Sequence, residues 1–394
     1  MFNVVLMYAL KILKGFSICY KYIISSNKIK RIRKKMFFQL ISFGDFPNSL
    51  TALVLKNIQE YIPEFEVEIL TYQDSLKDLK EKFSKYDFSK VKINYEIIPE
   101  KVLDYNADKL QYTKPKSQNA FIYRIKRLYE LKKTHKFITI LDNDIFIKRS
   151  FLNYFNEFVE SGKTVGASTE FFSDKESVLA NKLENDNFKP EYCYFMNFGF
   201  AFFNLQKLPS SFEQFKKEFL EDVRRFTVYD QSWFSKVIPD SDKLILPNLQ
   251  LVPWALNWFE KEIDRPDFII HARVNQIDLN KTSVIHFTPL PVIDNVAKML
   301  NIKDKSTKNH FNKYLIIIKY YPEFYEFAKK YKTELGSAFS KIENVAITLK
   351  QFYNKNKFII ENDFYSLLKN SDYYKKYKTR IISKLLTGYE YDIR

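Results

Sequence analysis

FITILDNDIFIKRS, residues 137–150, is an apolar run that carries Asp142 and Asp144, one residue apart, into a second apolar run. In an extended strand successive side chains alternate faces, so both carboxylates should fall on one side and Asn143 on the other. Two carboxylates that close repel each other unless a cation or a shared proton lies between them. A strand that ends in such a pair suits the carboxyl edge of a parallel sheet, where α/β folds bind their ligands. The stretches on either side decide whether the chain builds that sheet.

Upstream, MFFQLISF (36–43) reads as a buried strand, GDFPNS (44–49) as a loop and SLTALVLKNIQEYI (49–62) as an amphipathic helix. FEVEILTY (65–72) and VKINYEII (91–98) read as further strands, and NAFIYRIKRLYELKK (119–133) as a helix. Strands alternating with helices define the α/β class with a largely parallel sheet. Downstream, EYCYFMNFGFAFFNLQKL (191–208) reads as a strand pair around a tight Asn-Phe-Gly. FTVYDQSWFSKVI (226–238) reads as a helix start, and NKTSVIHFTPLP (280–291) as a strand ending in a proline-rich loop. After about residue 300, stretches such as YPEFYEFAKKYK (321–332) and NDFYSLLKNSDYYKKYKTR (362–380) are helical in pattern. Three regions follow: a basic segment over 1–35, an α/β domain over 36–299 and a basic helical appendage over 300–394. No Gly-Ser linker separates them, so the appendage is expected to pack on the core.

A chain of 394 residues can bury a substantial core without covalent staples. Its two cysteines, Cys19 and Cys193, match neither a disulfide framework nor a zinc pattern, which favours a reducing compartment. The 38 Phe and 27 Tyr are weak evidence of any partner, because an AT-rich coding sequence produces the same bias. The placement of charge says more. Of the net +16, residues 1–36 carry nine basic and no acidic side chains, and residues 301–394 carry 19 basic against 10 acidic. The middle is left near neutral, with 35 basic against 37 acidic. Basic ends around a neutral core suit an anionic membrane surface, and no nucleic-acid partner is expected. FNVVLMYALKILKGFSICYKYII is broken by Lys11, Lys14 and Lys21, too many for a spanning helix, and has no basic residue ahead of its apolar stretch, as a secretory leader would. With KIKRIRKK (28–35) behind it, the segment reads as an amphipathic interfacial helix or as a helix packed on the main domain with a solvated basic face.

The Asp pair itself admits three readings. Mg²⁺ and Mn²⁺ prefer oxygen ligands and tolerate one imidazole, so the pair can hold a divalent cation. A haloacid dehalogenase-like phosphohydrolase also places two Asp one apart after an apolar strand, with Asp142 as nucleophile. That pattern expects Thr or Val where this chain has Phe146, and no Gly follows Asp144. Two surface carboxylates at a strand end are the plainest reading.

The motifs around the pair, taken in order, resemble the family 8 glycosyltransferases, retaining enzymes of the GT-A fold. The resemblance covers roughly residues 37–290. FIYRIKRL supplies Arg124, eighteen residues ahead of Asp142, where the family carries an Arg that contacts donor sugar or phosphate. The resemblance implies that Asp142 and Asp144 bind Mn²⁺ (or Mg²⁺) and the ribose and diphosphate of a nucleotide sugar. YFMNFGFAFFNL places Asn197 and Gly199 on the family's Asn-x-Gly, the Asn to hold the sugar and the Gly to let the backbone approach. VYDQSWF gives Asp230 and Gln231, implied to bind sugar hydroxyls and to sit beneath the anomeric carbon; locally, Asp230 reads equally well as a helix N-terminal charge. SVIHFTP puts His286 at the family's third metal ligand, although a His closing an apolar strand is, by itself, usually a core or edge residue. His271, in FIIHARV, is the second choice.

Two parts of the pattern thin out. Where the family follows its His with Gly and then Lys-Pro-Trp, HFTPLPV offers Pro289 and Val292, which leaves the diphosphate short of a cation unless Lys281, Lys298 or a Lys of the appendage substitutes. ISFGD supplies Ser42, Phe43 and Asp45 where the family has Ala-Ala-Asp for the nucleotide. The acceptor, a cell-surface or lipid-linked glycan, should lie beneath 165–195 and PWALNWF (253–259). Trp254 and Trp258 could face a sugar or fill the core, whereas Trp233 is expected in the core. The expected protein is a retaining, metal-dependent glycosyltransferase acting on a nucleotide sugar, with a UDP-sugar as the expected donor, and held peripherally at the cytoplasmic face of a membrane. The phosphohydrolase and a catalytically impaired, membrane-bound glycan-binding relative are its alternatives.

Overall fold

The computed structural model describes residues 36–105, 115–169, 196–221, 229–251, 281–287 and 320–369. Ten strands and eight principal helices are used below. The strands are β1 (Phe37–Ile41), β2 (Phe65–Thr71), β3 (Val91–Ile97), β4 (Phe137–Leu141), β5 (Ile145–Ile147), β6 (Val165–Thr169), β7 (Met196–Asn204), β8 (Lys243–Ile245), β9 (Gln250–Leu251) and β10 (Val284–His286). The helices are α1 (Asp45–Gln59), α2 (Gln73–Phe83), α3 (Pro115–Leu131), α4 (Leu152–Ser161), α5 (Phe212–Glu221), α6 (Tyr229–Val237), α7 (residues 320–329) and α8 (Ser337–Lys369).

Seven strands form one sheet in the order β3-β2-β1-β4-β7-β6-β8. All adjacent pairs are parallel except β4 with β7 and β7 with β6, so β7 alone runs against the rest. This is the mixed, mostly parallel α/β class that the sequence suggests. The strands read as near-continuous apolar runs because helices cover both faces. Along β7, Phe200 and Phe202 join the core under α1, α2 and α4, with Leu55, Leu79 and Phe155. Its alternate residues Ala201 and Phe203 join the core under α3, α5 and α6, with Ile125, Phe215 and Trp233. Trp233 is fully buried, as expected. Glu68, a carboxylate inside β2, is accommodated by Gln39 Nε2 at 2.8 Å and Arg127 at 2.6 Å.

A second sheet, β5-β10-β9, stands beside the first. Its Phe146, Leu251 and Ile285, with Phe287, share a core with Leu50 and Leu53 of α1 and with Tyr321, Phe324, Phe339 and Ile342 of α7 and α8. The appendage is therefore packed onto the α/β body. Lys148 adds an ion pair with Glu323 at 2.9 Å. Among the described residues no helix is long and apolar enough to cross a membrane.

Three local expectations change. The loop expected over 44–49 is already helical from Asp45, entered through Gly44 at φ 92. Gly tolerates that backbone and Pro47 fits a first helical turn. The strand pair expected around Asn-Phe-Gly is, within the described residues, one uninterrupted strand, because this Gly sits in an extended conformation inside β7. The run that carries the Asp pair is not one strand either: β4 ends at Leu141 and β5 begins at Ile145 in the other sheet. The segment 1–35, Cys19, Cys193, His271, Trp254, Trp258, Pro289, Val292, Lys298 and the stretch 370–380 lie outside the described residues.

Candidate active site

Asp142, Asn143 and Asp144 are the crossing from the large sheet to the small one. Asp142 N–H still donates to Gly199 O at 2.9 Å, extending the β4–β7 ladder by one step. Asn143 leans back with its amide 3.5 Å from Ile41 O, the last residue of β1. Asp144 O then accepts Phe287 N–H at 2.8 Å, and Ile145 pairs with His286. Antiparallel register thus brings a residue from position 286 beside one from position 144.

The result is a compact donor set. His286 Nε2 lies 3.0 Å from Asp144 Oδ1 and 3.6 Å from Asp142 Oδ2. One ligand atom from each of the three residues falls within 4.8 Å of the others. Two carboxylates and an imidazole suit Mn²⁺ or another divalent cation with room for oxygen ligands. The fit shows in Gly199 as well. A Cβ there would stand 2.3 Å from the His286 ring, so the ring occupies the space that the missing side chain leaves.

The opposite wall is Arg124 on α3, buried to 1 % exposure. Its guanidinium reaches Asp230 Oδ2 at 3.1 Å and Asp142 Oδ1 at 3.3 Å. Two of the three carboxylates therefore share the Arg124 guanidinium, while Asp144 faces His286. Burial raises the Asp142 carboxyl above its usual range, while Arg124 and His286 pull it down and Asp144 pushes it up. About a third of the Asp142 side chain is accessible, yet protein surrounds it closely enough for burial to dominate. Asp230, in the first turn of α6, is pushed up to about 6 by burial, against the pull of Arg124.

β7 runs past its last ladder pair with β4, Leu141 with Phe200, and there its backbone takes side-chain partners. Phe198 N–H donates to Gln231 Oε1 at 2.7 Å, and Gly199 N–H to Asn197 Oδ1 at 2.9 Å. Asn197 Oδ1 also accepts the amide of Gln250, whose nitrogen lies 3.4 Å from His286 Nδ1. Sequence reasoning passed over Gln250, since a lone Gln in a two-residue strand carries no signal.

Asp142, Asp144, His286, Arg124, Asp230, Gln231, Asn197 and Gly199 are thus gathered at one end of the sheet. The residues expected to meet the nucleotide lie at the carboxyl end of β1 and are engaged elsewhere. Ser42 donates its hydroxyl to Asn48 Oδ1 at 2.7 Å and accepts from Thr51 at 2.8 Å, which ties it to α1. Phe43 is half-buried and meets Tyr72 edge-on, with ring centroids 5.2 Å apart. Asp45 is largely exposed and pairs with Lys82 at 2.6 Å. Lys281 precedes β10 at the end away from His286, and its carbonyl accepts the Tyr154 hydroxyl at 3.3 Å.

The sequence model of glycosyl transferase family 8 matches residues 11–237, more than half of the chain. No curated protein sequence matches it. Among solved structures, the galactosyltransferase LgtC in complex with donor and acceptor sugar analogs is similar at 12 % identity, covering 69 % of this chain and 99 % of that one, with a TM-score of 0.45. Mouse xyloside xylosyltransferase 1 is similar at 15 % identity over 64 % and 97 %, with a TM-score of 0.40. The glycosyltransferase GlyE of Streptococcus pneumoniae TIGR4 follows at 10 % identity over 73 % and 64 %, with a TM-score of 0.39. The family match carries the assignment. The chain belongs to glycosyl transferase family 8 and is a glycosyltransferase of GT-A fold, and transfer with retention is the stereochemistry that fits this family.

Proposed function

We propose that the protein transfers a sugar from a nucleoside diphosphate sugar, UDP-linked by preference, to a glycan or lipid-linked glycan, with retention at the anomeric carbon and with Mn²⁺ as the working cation. The observation that carries this reading is the Asp142–Asp144–His286 donor set, closed to 4.8 Å in a family 8 chain. A cation held there would act as a Lewis acid on the departing diphosphate.

The chain's own residues do the rest. Arg124 spans Asp142 and Asp230, so it fixes both carboxylates and offsets their repulsion when the site is empty of substrate. In this reading Asp230 would accept from sugar hydroxyls. Gln231 Oε1 is the atom that a double displacement would use as nucleophile, and it is already accepting Phe198 N–H. An amide oxygen held in that way attacks poorly, which favours departure and attack on the same face, with rate drawn from electrostatic stabilisation and alignment of the acceptor hydroxyl. The charge segregation of the sequence supports docking of the basic termini on the cytoplasmic leaflet, where lipid-linked acceptors are presented.

A thermal-shift screen of nucleotide sugars with and without Mn²⁺ tests the reading. The expected result is stabilisation by one UDP-sugar that needs Mn²⁺ and is lost in Asp144→Ala. Absence of any metal-dependent nucleotide effect on the wild type overturns it. For the membrane step, a chain lacking residues 1–35 should float less well with anionic vesicles; unchanged flotation removes that step alone.

A further inference from the structure

α6 brings Asp230 and Gln231 to the site at its N-terminal end, and its other end is finished by a residue from the sheet. In an α-helix the carbonyl of Ser235 would accept from the N–H of residue 239. That residue is Pro239, which has no N–H. Ile238 N–H still reaches Phe234 O at 3.1 Å, so the helical register holds up to the proline. A donor comes instead from the start of β8, where Lys243 Nζ lies 2.9 Å from Ser235 O and 2.8 Å from Asp240 Oδ1. The Lys243 side chain is 0 % exposed.

Ser235 is tied through its hydroxyl as well, which accepts Met196 N–H at 3.1 Å. Met196 begins β7 and adjoins Asn197. One helical turn before Ser235, Gln231 Oε1 accepts Phe198 N–H at 2.7 Å. α6 is therefore fastened at two points to the first residues of β7, and Lys243 secures the carbonyl of the residue that makes one of them. Asp144 and His286 flank a different junction, the β5–β10 pairing.

Stability does not account for an ammonium buried at a sheet edge. Lys is almost never fully buried, and an apolar side chain of similar length usually serves a core as well. What the ammonium adds is a directed bond to a last-turn carbonyl, with the charge that a helix C-terminus favours. We propose that Lys243 is a positioning residue for the donor sugar. By replacing the N–H that Pro239 lacks, it fixes α6 against the entry of β7 and sets Asp230, Gln231 and Asn197 in register for the sugar half of a nucleotide sugar. The inference rests on the nucleotide-sugar reading above and adds that sugar and cation are held by separately anchored parts of the site.

The test compares the full-length wild type with Lys243→Met and with Lys243→Met/Pro239→Ala, which gives the Ser235 carbonyl a backbone donor again. Amide hydrogen exchange over 196–199 should quicken about 10-fold in Lys243→Met, the effect of losing one buried hydrogen bond, and return in the double variant, with 284–287 unchanged. Calorimetry with Mn²⁺ present then compares UDP with the tightest of UDP-glucose, UDP-galactose and UDP-N-acetylglucosamine. UDP affinity should stay within about 2-fold of wild type, while UDP-sugar affinity falls about 10-fold in Lys243→Met and recovers in the double variant. Unchanged exchange over 196–199 in a folded Lys243→Met, an equal change over 284–287, or a UDP-sugar affinity that moves only in step with that of UDP overturns the proposal. A folded double variant without recovery overturns it too. Should Lys243→Met not fold, the double variant decides, with wild-type exchange and sugar affinity expected; failure of both to fold assigns the contact to folding alone and overturns the positioning role. A wild type that binds neither UDP nor a UDP-sugar with Mn²⁺ removes the nucleotide-sugar reading and this role with it, whereas the exchange arm still reports the Lys243 contact.

Discussion

Gly199 shows how much of the site turns on one atom that is absent. Its motif is legible in the sequence, but its purpose is not: an Asn-x-Gly suggests close approach of backbone to ligand, whereas the structure uses the space for the His286 ring. Gly199→Ala should therefore fold with a loss of about 1–3 kcal/mol from overpacking and should lose the Mn²⁺-induced rise in melting temperature, both read from thermal unfolding with and without the cation. Asp230 offers a second test. Its folded-state pKa of about 6 lies above the usual carboxylate value, so it favours the folded state at acid pH and that contribution is lost as pH rises through about 6. With chelator present, urea-denaturation stability should fall between pH 4 and pH 7 by no more than about 3 kcal/mol, and the fall should shrink in Asp230→Asn. The order Arg124, Asp142, Asp144, Asp230, His286 could be read along the chain because each sits in a short motif. Gln250 could not, since its role exists only once β9 lies beside β10.

At the level of elements, the Asp pair is a joint between sheets. Apolar runs on both sides of Asp142–Asp144 look like one strand because continuous burial resumes directly after the pair; hydrogen bonding splits them, Asp142 staying with β7 and Ile145 turning to β10. Sequence pattern registers burial, and it does not register which neighbour supplies the ladder. The same limit hides the continuity of β7, where Gly in an extended conformation resembles a turn signal. The small sheet owes its position to α7, whose Phe324 packs edge-on to Phe146 and lies 5.4 Å from the Phe287 ring. Phe324→Ala should cost about 3–5 kcal/mol in chemical denaturation and should weaken Mn²⁺ binding through the flanks of His286, although residue 324 touches no ligand. A stability loss with unchanged Mn²⁺ affinity would show that the small sheet stands without this support.

For the whole molecule, the division into neutral body and basic ends is visible in charge alone, yet the described part of the appendage is anything but peripheral. Tyr321, Phe324 and Phe327 of α7 and Phe339 and Ile342 of α8 are buried against the body. A chain ending at residue 319 should expose Phe146, Leu251, Ile285 and Phe287 together and aggregate, as light scattering of the purified fragment would show. That packing also imposes an order on biosynthesis. Asp144 leaves the ribosome 180 residues ahead of Phe324, a delay of roughly ten to forty seconds at ordinary elongation rates. Until α7 arrives, the strand that bears His286 has an uncovered apolar flank. The nascent chain therefore carries its acidic pair through nearly half of its 394-residue synthesis before the strand that bears His286 gains this cover.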